Sequence, residues 1–468
     1  PSRASFATGL YVHDIGCWDN CNGWDGSVAG WPHRARDGGH RCVSIGKLHY
    51  QQTGTLGFEK QILPMYLSNA GLGDGTGLLR KQQVPYGSPE RDYGLGAPIA
   101  INGPKMMSDA IGRGESNHTD YDRRITKAAS SWLLENGGKD PANPWLLYVS
   151  FVAPHFPFIA PPEFYDLYPV GSIPRPIQYE KHERSKHPVI QALTRIWNYD
   201  DYFDEDKVLR ARAAYYGLCS FLDHNIGILI DALKESGGYE NTLIIYTSDH
   251  GECLGNRGIW STSAMFEESV GVPLIVHGPG IPNGKQVNDV VSLVDLYPTI
   301  VEAIGETLTD EDRKLPGHSL VGIANGDAPH RTVLSEYHAG GSITGIFMIR
   351  YRRWKYIHYV GFDPQLFDLD ADPNETVDLG TDLKYADIRT KCEGLLRSIV
   401  NPEEVNARAF ADQAHHIKRH GGMQAILNRE YTWGGHSIDT RIEEDGSITP
   451  MDRLLPFEGF RPYLAKQK

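Results

Sequence analysis

The chain has 468 residues, a formal net charge of −13, 40% hydrophobic residues and 10% aromatic residues. That length exceeds what one simple core takes, so two domains in a globular protein are the starting expectation. The negative charge argues against nucleic acid or an anionic membrane surface as a general partner, and no apolar run nears the ~20 residues of a bilayer span. A small anionic substrate stays compatible, because a few cations or a metal reverse the sign inside one pocket.

In chain order, His40-Arg-Cys-Val-Ser-Ile45 reads as a strand leading into Gly46-Lys47-Leu48-His49. Trp145-Leu-Leu-Tyr-Val-Ser150 reads as a second strand, leading into Ala153-Pro-His155-Phe-Pro-Phe158. Val208, Ala211, Tyr215, Leu218, Leu222, Ile226, Leu229 and Leu233 recur at steps of three and four. This spacing predicts one face of a long helix, stopped by Gly237-Gly238. Thr242-Leu-Ile-Ile-Tyr-Thr247 predicts a short strand buried on both faces, ending on Ser248-Asp249-His250-Gly251. Alternating helices and strands up to about residue 305 predict a layered α/β domain, residues 1–325, with a central mostly parallel sheet flanked by helices.

From about 331 the texture changes. Short strands at 345–350, 354–360 and 366–369, then a helical stretch near 386–399, predict a smaller antiparallel sheet with a covering helix, residues 326–400. The polar, weakly periodic segment 401–468 reads as a tail that wraps the body or joins copies into a homo-oligomer. His415, His416 and His420 there read as residues of a solvated helix, not metal ligands. The six cysteines lack CxxC spacing and read as free buried thiols, with a Cys17–Cys21 disulfide as the alternative.

In open α/β sheets, ligands bind beyond the carboxyl ends of the strands, and three strands here end on Lys, His or Asp-His. Asp249-His250 puts a carboxylate beside an imidazole, which suits one divalent cation such as Ca, Mn or Mg. The competing reading is an Asp that caps the next turn beside a surface His. His155, between two prolines, sits on a stiff loop suited to a positioned acid or base; a packed structural His is the alternative. Lys47 and His49 offer a cation and a titratable group for an oxyanion, against a plain surface loop. A GxSxG elbow, a P-loop, an HExxH pair and a Rossmann GxGxxG after a strand are all absent.

Pro1-Ser2-Arg3-Ala4-Ser5-Phe6-Ala7-Thr8-Gly9 resembles the segment after the nucleophile in type I sulfatases of the alkaline-phosphatase superfamily, whose signature is Cys-x-Pro-Ser-Arg. Gly46-Lys47-Leu48-His49, His155-Phe-Pro-Phe158 and Ser248-Asp249-His250-Gly251-Glu252 are similar to that family's Gly-Lys-x-His, His-x-Pro-Phe/Tyr and second metal-binding elements. The Asp-His form is that of choline sulfatases and phosphonate monoester hydrolases. Phe266–Gly280 and Leu366–Pro373 match the later framework.

The resemblance implies hydrolysis of sulfate monoesters of a small alcohol or aryl group, through a formylglycine hydrate and one divalent metal ion. Asp249 and His250 are the implied metal ligands, and Arg3 the implied holder of the hydrate. Lys47 and Asn20 are implied to contact the sulfuryl oxygens. His155 is implied to meet the ester and protonate the leaving alcohol, and His49 to assist proton removal as sulfate leaves. His338, in Ser335-Glu-Tyr-His-Ala339, is expected to reach the pocket from the second domain, against a structural His.

The Cys, the x and the first metal-binding aspartates of the family pattern fall before Pro1, so residues 1–468 alone are expected to be inactive, and a formylglycine-generating enzyme is the implied partner of the longer protein. A second departure is Trp260-Ser261-Thr262: close relatives carry a Lys where Thr262 stands, which weakens the anion site and the case for strict sulfate specificity. The alternatives are a phosphonate monoester or phosphodiester hydrolase and a catalytically dead binding member. The expected compartment is cytoplasmic or periplasmic.

Overall fold

A computed structural model describes residues 1–51, 56–66, 103–138, 144–327 and 331–422, with the backbone of 440–442 and 448–450. The strand read from His40 onward forms β1 (Arg41–Lys47), which lies between β2 (Lys60–Met65) and β3 (Trp145–Ser150), all three parallel. Alternation along β1 sends successive side chains to opposite faces. Val43 and Ile45 meet Ile125, Ala129 and Leu133 of α3 (below), and Cys42 meets Trp31, Ala35, Tyr297 and Val301.

The helices of this domain used below are α1 (Ser2–Thr8), α2 (Trp31–Asp37), α3 (Asn117–Asn136), α4 (Glu205–Glu235) and α5 (Leu296–Ala303), of which α2, α3 and α5 carry these residues. The parallel strands are therefore covered on both sides, as in α/β folds generally. Helix α4 forms where the three-and-four spacing placed it, with Asp204 as N-cap accepting from Lys207 N.

Gly46 brings β1 close to the end of β3. Its φ is 102°, and a Cβ there would lie 2.2 Å from the Ser150 carbonyl oxygen and 2.8 Å from Ile125 Cδ1. Only glycine permits that approach, and Lys47 is the next residue.

The strand that ends on Asp249 is β4 (Ile244–Thr247), paired antiparallel with β5 (Leu274–His277). All four β4 residues are half-buried, which corrects the expectation of burial on both faces. Among the described residues β5 is the only strand hydrogen-bonded to β4, and β4 also lines a large cavity that it shares with β3.

The C-terminal sheet is antiparallel, in the order β9-β8-β7-β6, built from β6 (Thr332–Tyr337), β7 (Ile346–Tyr351), β8 (Trp354–Tyr359) and β9 (Gln365–Asp368). Helix α6 (Ala386–Ile399) covers it through Cys392 and Leu396. The segment read as a tail begins with α7 (Pro402–Arg419), whose Val405 and Ala409 join the same core as Trp18. All six cysteines are free thiols, so Cys17 and Cys21 are unlinked, and Cys219 is exposed on the face of α4 that lines the cavity. Among the described residues no helix is long and apolar enough to cross a membrane.

Candidate active site

The carboxyl ends of β1, β3 and β4 open onto one cavity of about 1210 Å³, whose lining includes Arg3, Lys47, His155, Asp249 and His250. Arg3 comes from the first turn of α1, which docks through buried Ala4 and Ala7. Its Nε donates to Asp249 Oδ2 at 2.6 Å, and its Nη1 donates to the Lys47 carbonyl, Tyr148 Oη and Ser150 Oγ, each at 3.0 Å. One guanidinium thus ties the ends of all three strands together, using the planar fork that lysine lacks. Burial works against charge on both partners, yet the pair outweighs it: Asp249 holds the Arg3 pKa up, and Arg3 holds the Asp249 carboxyl well below the usual carboxylate range.

Lys47 is 5% exposed, and among the described residues no carboxylate or carbonyl oxygen accepts from its ammonium. Burial, reinforced by the nearby Arg3 charge, lowers its pKa to about 8. His155 directs Nδ1 at its neighbour's carbonyl, Phe156 O, 2.7 Å away, so Nε2 is the nitrogen left for a ligand. Burial, with Lys47 and His118 beside it, holds the His155 imidazole neutral well below its ordinary pKa.

Asp249 and His250 can hold a divalent cation together. Arg3 engages Asp249 Oδ2, and the Gly251 carbonyl engages His250 Nδ1 at 2.9 Å. Their remaining donors, Asp249 Oδ1 and His250 Nε2, lie 3.8 Å apart, a separation that two ligands at about 2.0–2.6 Å from one ion can span. Two donors do not complete such a shell, and among the described residues no group of three or more His, Cys, Asp or Glu side chains is placed to hold a metal.

The other expected residues lie apart from this set. His49 follows Lys47 with a φ of 57°, its backbone N donating to Met65 O at 2.8 Å, and its side chain is not part of the cavity lining. Asn20 and Thr262 are half-buried and also outside the lining, although Ser261 is part of it. His338 is 1% exposed, with Nε2 on Glu336 Oε2 at 2.9 Å and its ring edge-on to Trp18 at 5.0 Å.

Four residues that no motif singled out complete the surroundings. Tyr148 and Ser150 on β3 hold Arg3. Asp122 on α3 accepts from the backbone N of Val152 and of Ala153, each at 2.8 Å, at the root of the loop that bears His155. Burial pushes its carboxyl up to about 7, against those two donors and Lys47. His118, one turn earlier on α3, lies 6.2 Å from the His155 ring. The signal available in the sequence was the Ser116-x-x-Thr119 cap that fixes the first turn of α3 and so the directions of His118 and Asp122.

The sulfatase family model matches residues 1–306, and a second model, the C-terminal region of N-sulphoglucosamine sulphohydrolase, matches residues 255–401. Choline-sulfatase of Rhizobium meliloti is 32% identical over 395 residues, covering 81% of this chain and 72% of that protein. Arylsulfatase K of Gallus gallus is 30% identical over 456 residues, covering 92% and 78%. The phosphonate monoester hydrolase of Agrobacterium radiobacter superimposes with a TM-score of 0.62 at 22% identity, covering 95% of this chain and 88% of that one. A 2-O GAG sulfatase superimposes at 0.58 and 21%, covering 93% and 87%. At these identities the structures establish the shared fold, and the sequence matches go further: this chain belongs to the sulfatase family and is a sulfuric ester hydrolase.

Proposed function

We propose that the site hydrolyses sulfate monoesters of a small alcohol or aryl group, with a formylglycine hydrate two residues ahead of Pro1 as nucleophile. The observation that carries this reading is the convergence of Arg3, Lys47, His155, Asp249 and His250, from four separate stretches of sequence, on one cavity. Lys47 and Arg3 offset the charge of the transferring group. His155, with Nε2 left for a ligand, is the side chain that meets the ester in this reading, as an acceptor while its proton sits on Nδ1. A divalent cation (Ca, Mn or Mg) held by Asp249 Oδ1 and His250 Nε2 would supply a further positive charge at the sulfuryl oxygens. Formylglycine formation calls for a formylglycine-generating enzyme as partner. Asn20, His49, Thr262 and His338 lie outside the cavity lining and take no step in this reading.

The competing substrate class is a phosphonate monoester or phosphodiester. Thr262, which supplies no cation where close relatives in the resemblance carry a Lys, weakens the case for strict sulfate specificity. The deciding experiment compares para-nitrophenyl sulfate with a para-nitrophenyl phosphonate monoester, using gene product whose peptide mass shows formylglycine at the second residue before Pro1. Faster turnover of the sulfate is expected. Faster turnover of the phosphonate, or none of either, overturns the reading, and the second outcome leaves a binding member of the family.

A further inference from the structure

His118 is buried at 6% exposure on the first turn of α3, outside the residues assigned roles above. The turn is rigid: Thr119 N donates to Ser116 Oγ at 3.2 Å, and Ser116 N donates to Thr119 Oγ1 at 2.9 Å. The imidazole hydrogen-bonds the backbone of Phe156, and its ring stands 6.2 Å from that of His155 at an interplanar angle of 61°. Burial, with Lys47 close by, lowers the His118 pKa to about 4, so at neutral pH it is an uncharged ring with one N–H to give.

The Phe156 carbonyl is also the partner of His155 Nδ1, at 2.7 Å. A carbonyl oxygen has two lone pairs, enough for one N–H from each ring. Asp122 lies four residues after His118, on the same face of α3, and takes the N–H groups of Val152 and Ala153. One helix face therefore grips both ends of the short loop that carries His155.

We propose that His118 is a positioning residue: its N–H on the Phe156 carbonyl fixes that carbonyl for His155 and holds His155 in the tautomer with the proton on Nδ1 and Nε2 open to the cavity. Which tautomer a histidine adopts is set by the hydrogen bond its other nitrogen makes. The proposal rests on the functional reading above only for the importance of His155; the tautomer itself follows from the geometry.

The test uses residues 1–468 with nitrogen-15-labelled histidine and long-range proton–nitrogen spectra near neutral pH, His155 being assigned by loss of its signals in His155→Gln. Wild-type protein is expected to show His155 protonated on Nδ1 and bare on Nε2. His118→Phe, which keeps a ring but gives no hydrogen, is expected to shift His155 toward the Nε2-protonated form. His118→Gln, which restores an N–H donor, is expected to shift it back. A folded His118→Phe protein with an unchanged His155 pattern overturns the proposal. If that variant does not fold, the wild-type spectrum still decides, because a wild-type His155 carrying its proton on Nε2 overturns it as well. Failure of the sulfate reading in the turnover comparison leaves this result untouched, so the two can fail separately.

Discussion

Two buried lysines in this molecule are treated in opposite ways. Lys355, on β8 of the C-terminal sheet, has a fully buried side chain whose Nζ donates to Met265 O at 3.0 Å and pairs with Glu267 at 2.6 Å and Glu375 at 2.7 Å. Lys47, at the end of β1, is nearly as deep, but it lines a cavity. Arg3 opposes its charge, and the Asp249 and Asp122 carboxylates act on it without a hydrogen bond to its ammonium among the described residues. The first cation is satisfied by the protein and joins the sheet to the segment around residues 265–267. The second is left for something else to satisfy. A desolvated cation with no hydrogen-bonded partner raises the free energy of the site, and an anion that enters recovers part of the difference. The comparison teaches that depth alone does not separate a structural charge from a functional one; the partner set does.

The largest effect is expected from breaking the satisfied lysine. Lys355→Met leaves Glu267 and Glu375 without their cation and should destabilise the fold by about 3–5 kcal/mol in denaturant unfolding. Asp122→Asn tests an intermediate case, a buried carboxylate held by backbone donors. The amide cannot accept from both Val152 N and Ala153 N, and a loss of about 1.5–3 kcal/mol is expected by the same measurement.

Lys47→Met sharpens the contrast, because it should leave stability equal or improved while weakening sulfate binding roughly 10- to 100-fold by calorimetry, the ~1.5–3 kcal/mol of a charge-assisted hydrogen bond. The pH dependence follows from the same group. Lys47 loses its proton as pH rises through about 8, so sulfate affinity falls there, with bound sulfate moving the midpoint upward. Stability changes the other way: the unfolded chain keeps that proton to about 10.5, so the folded state gains relative stability between about 8 and 10.5. The smallest effect concerns Asp249, the carboxylate that Arg3 already satisfies. Saturating Ca or Mn should raise the Tm by a few degrees, and His250→Ala should abolish the rise.

Much of the architecture was legible where the determinants are local. Helix α4 follows from Val208 to Leu233 because helical spacing is written in consecutive residues. The convergence of Lys47 and His155 followed from the ends of parallel β1 and β3, since an α/β sheet gathers its carboxyl termini on one side. Asp249-His250 joins them from the end of β4, which among the described residues is hydrogen-bonded only to β5. The burial of β4 was misread because apolar composition says what a strand can be packed against, not how many neighbours it has. The reading of 401–468 as a tail that wraps the body or joins copies gave no core residues there, because the buried face of α7, from Val405 and Asn406 to Ile417, mixes apolar and polar residues within a polar sequence. For His118 and Asp122 the Ser116-x-x-Thr119 cap marks where their helix starts but not what the two side chains meet. Their partners are backbone groups at residues 152–156, more than thirty positions away in His118's case, and backbone N–H and C=O groups leave no mark in a sequence.

The half-covered strand β4 has a consequence for handling the protein. Its apolar residues have one hydrogen-bonded strand beside them among the described residues, and Ile275 on that neighbour, β5, is 62% exposed. A strand with an open side is a template for pairing with another chain, and such pairing grows with concentration instead of stopping at a fixed number of copies. Self-association of residues 1–468 that increases without a plateau therefore reports sticky strand edges, and only a species of constant size reports an evolved assembly.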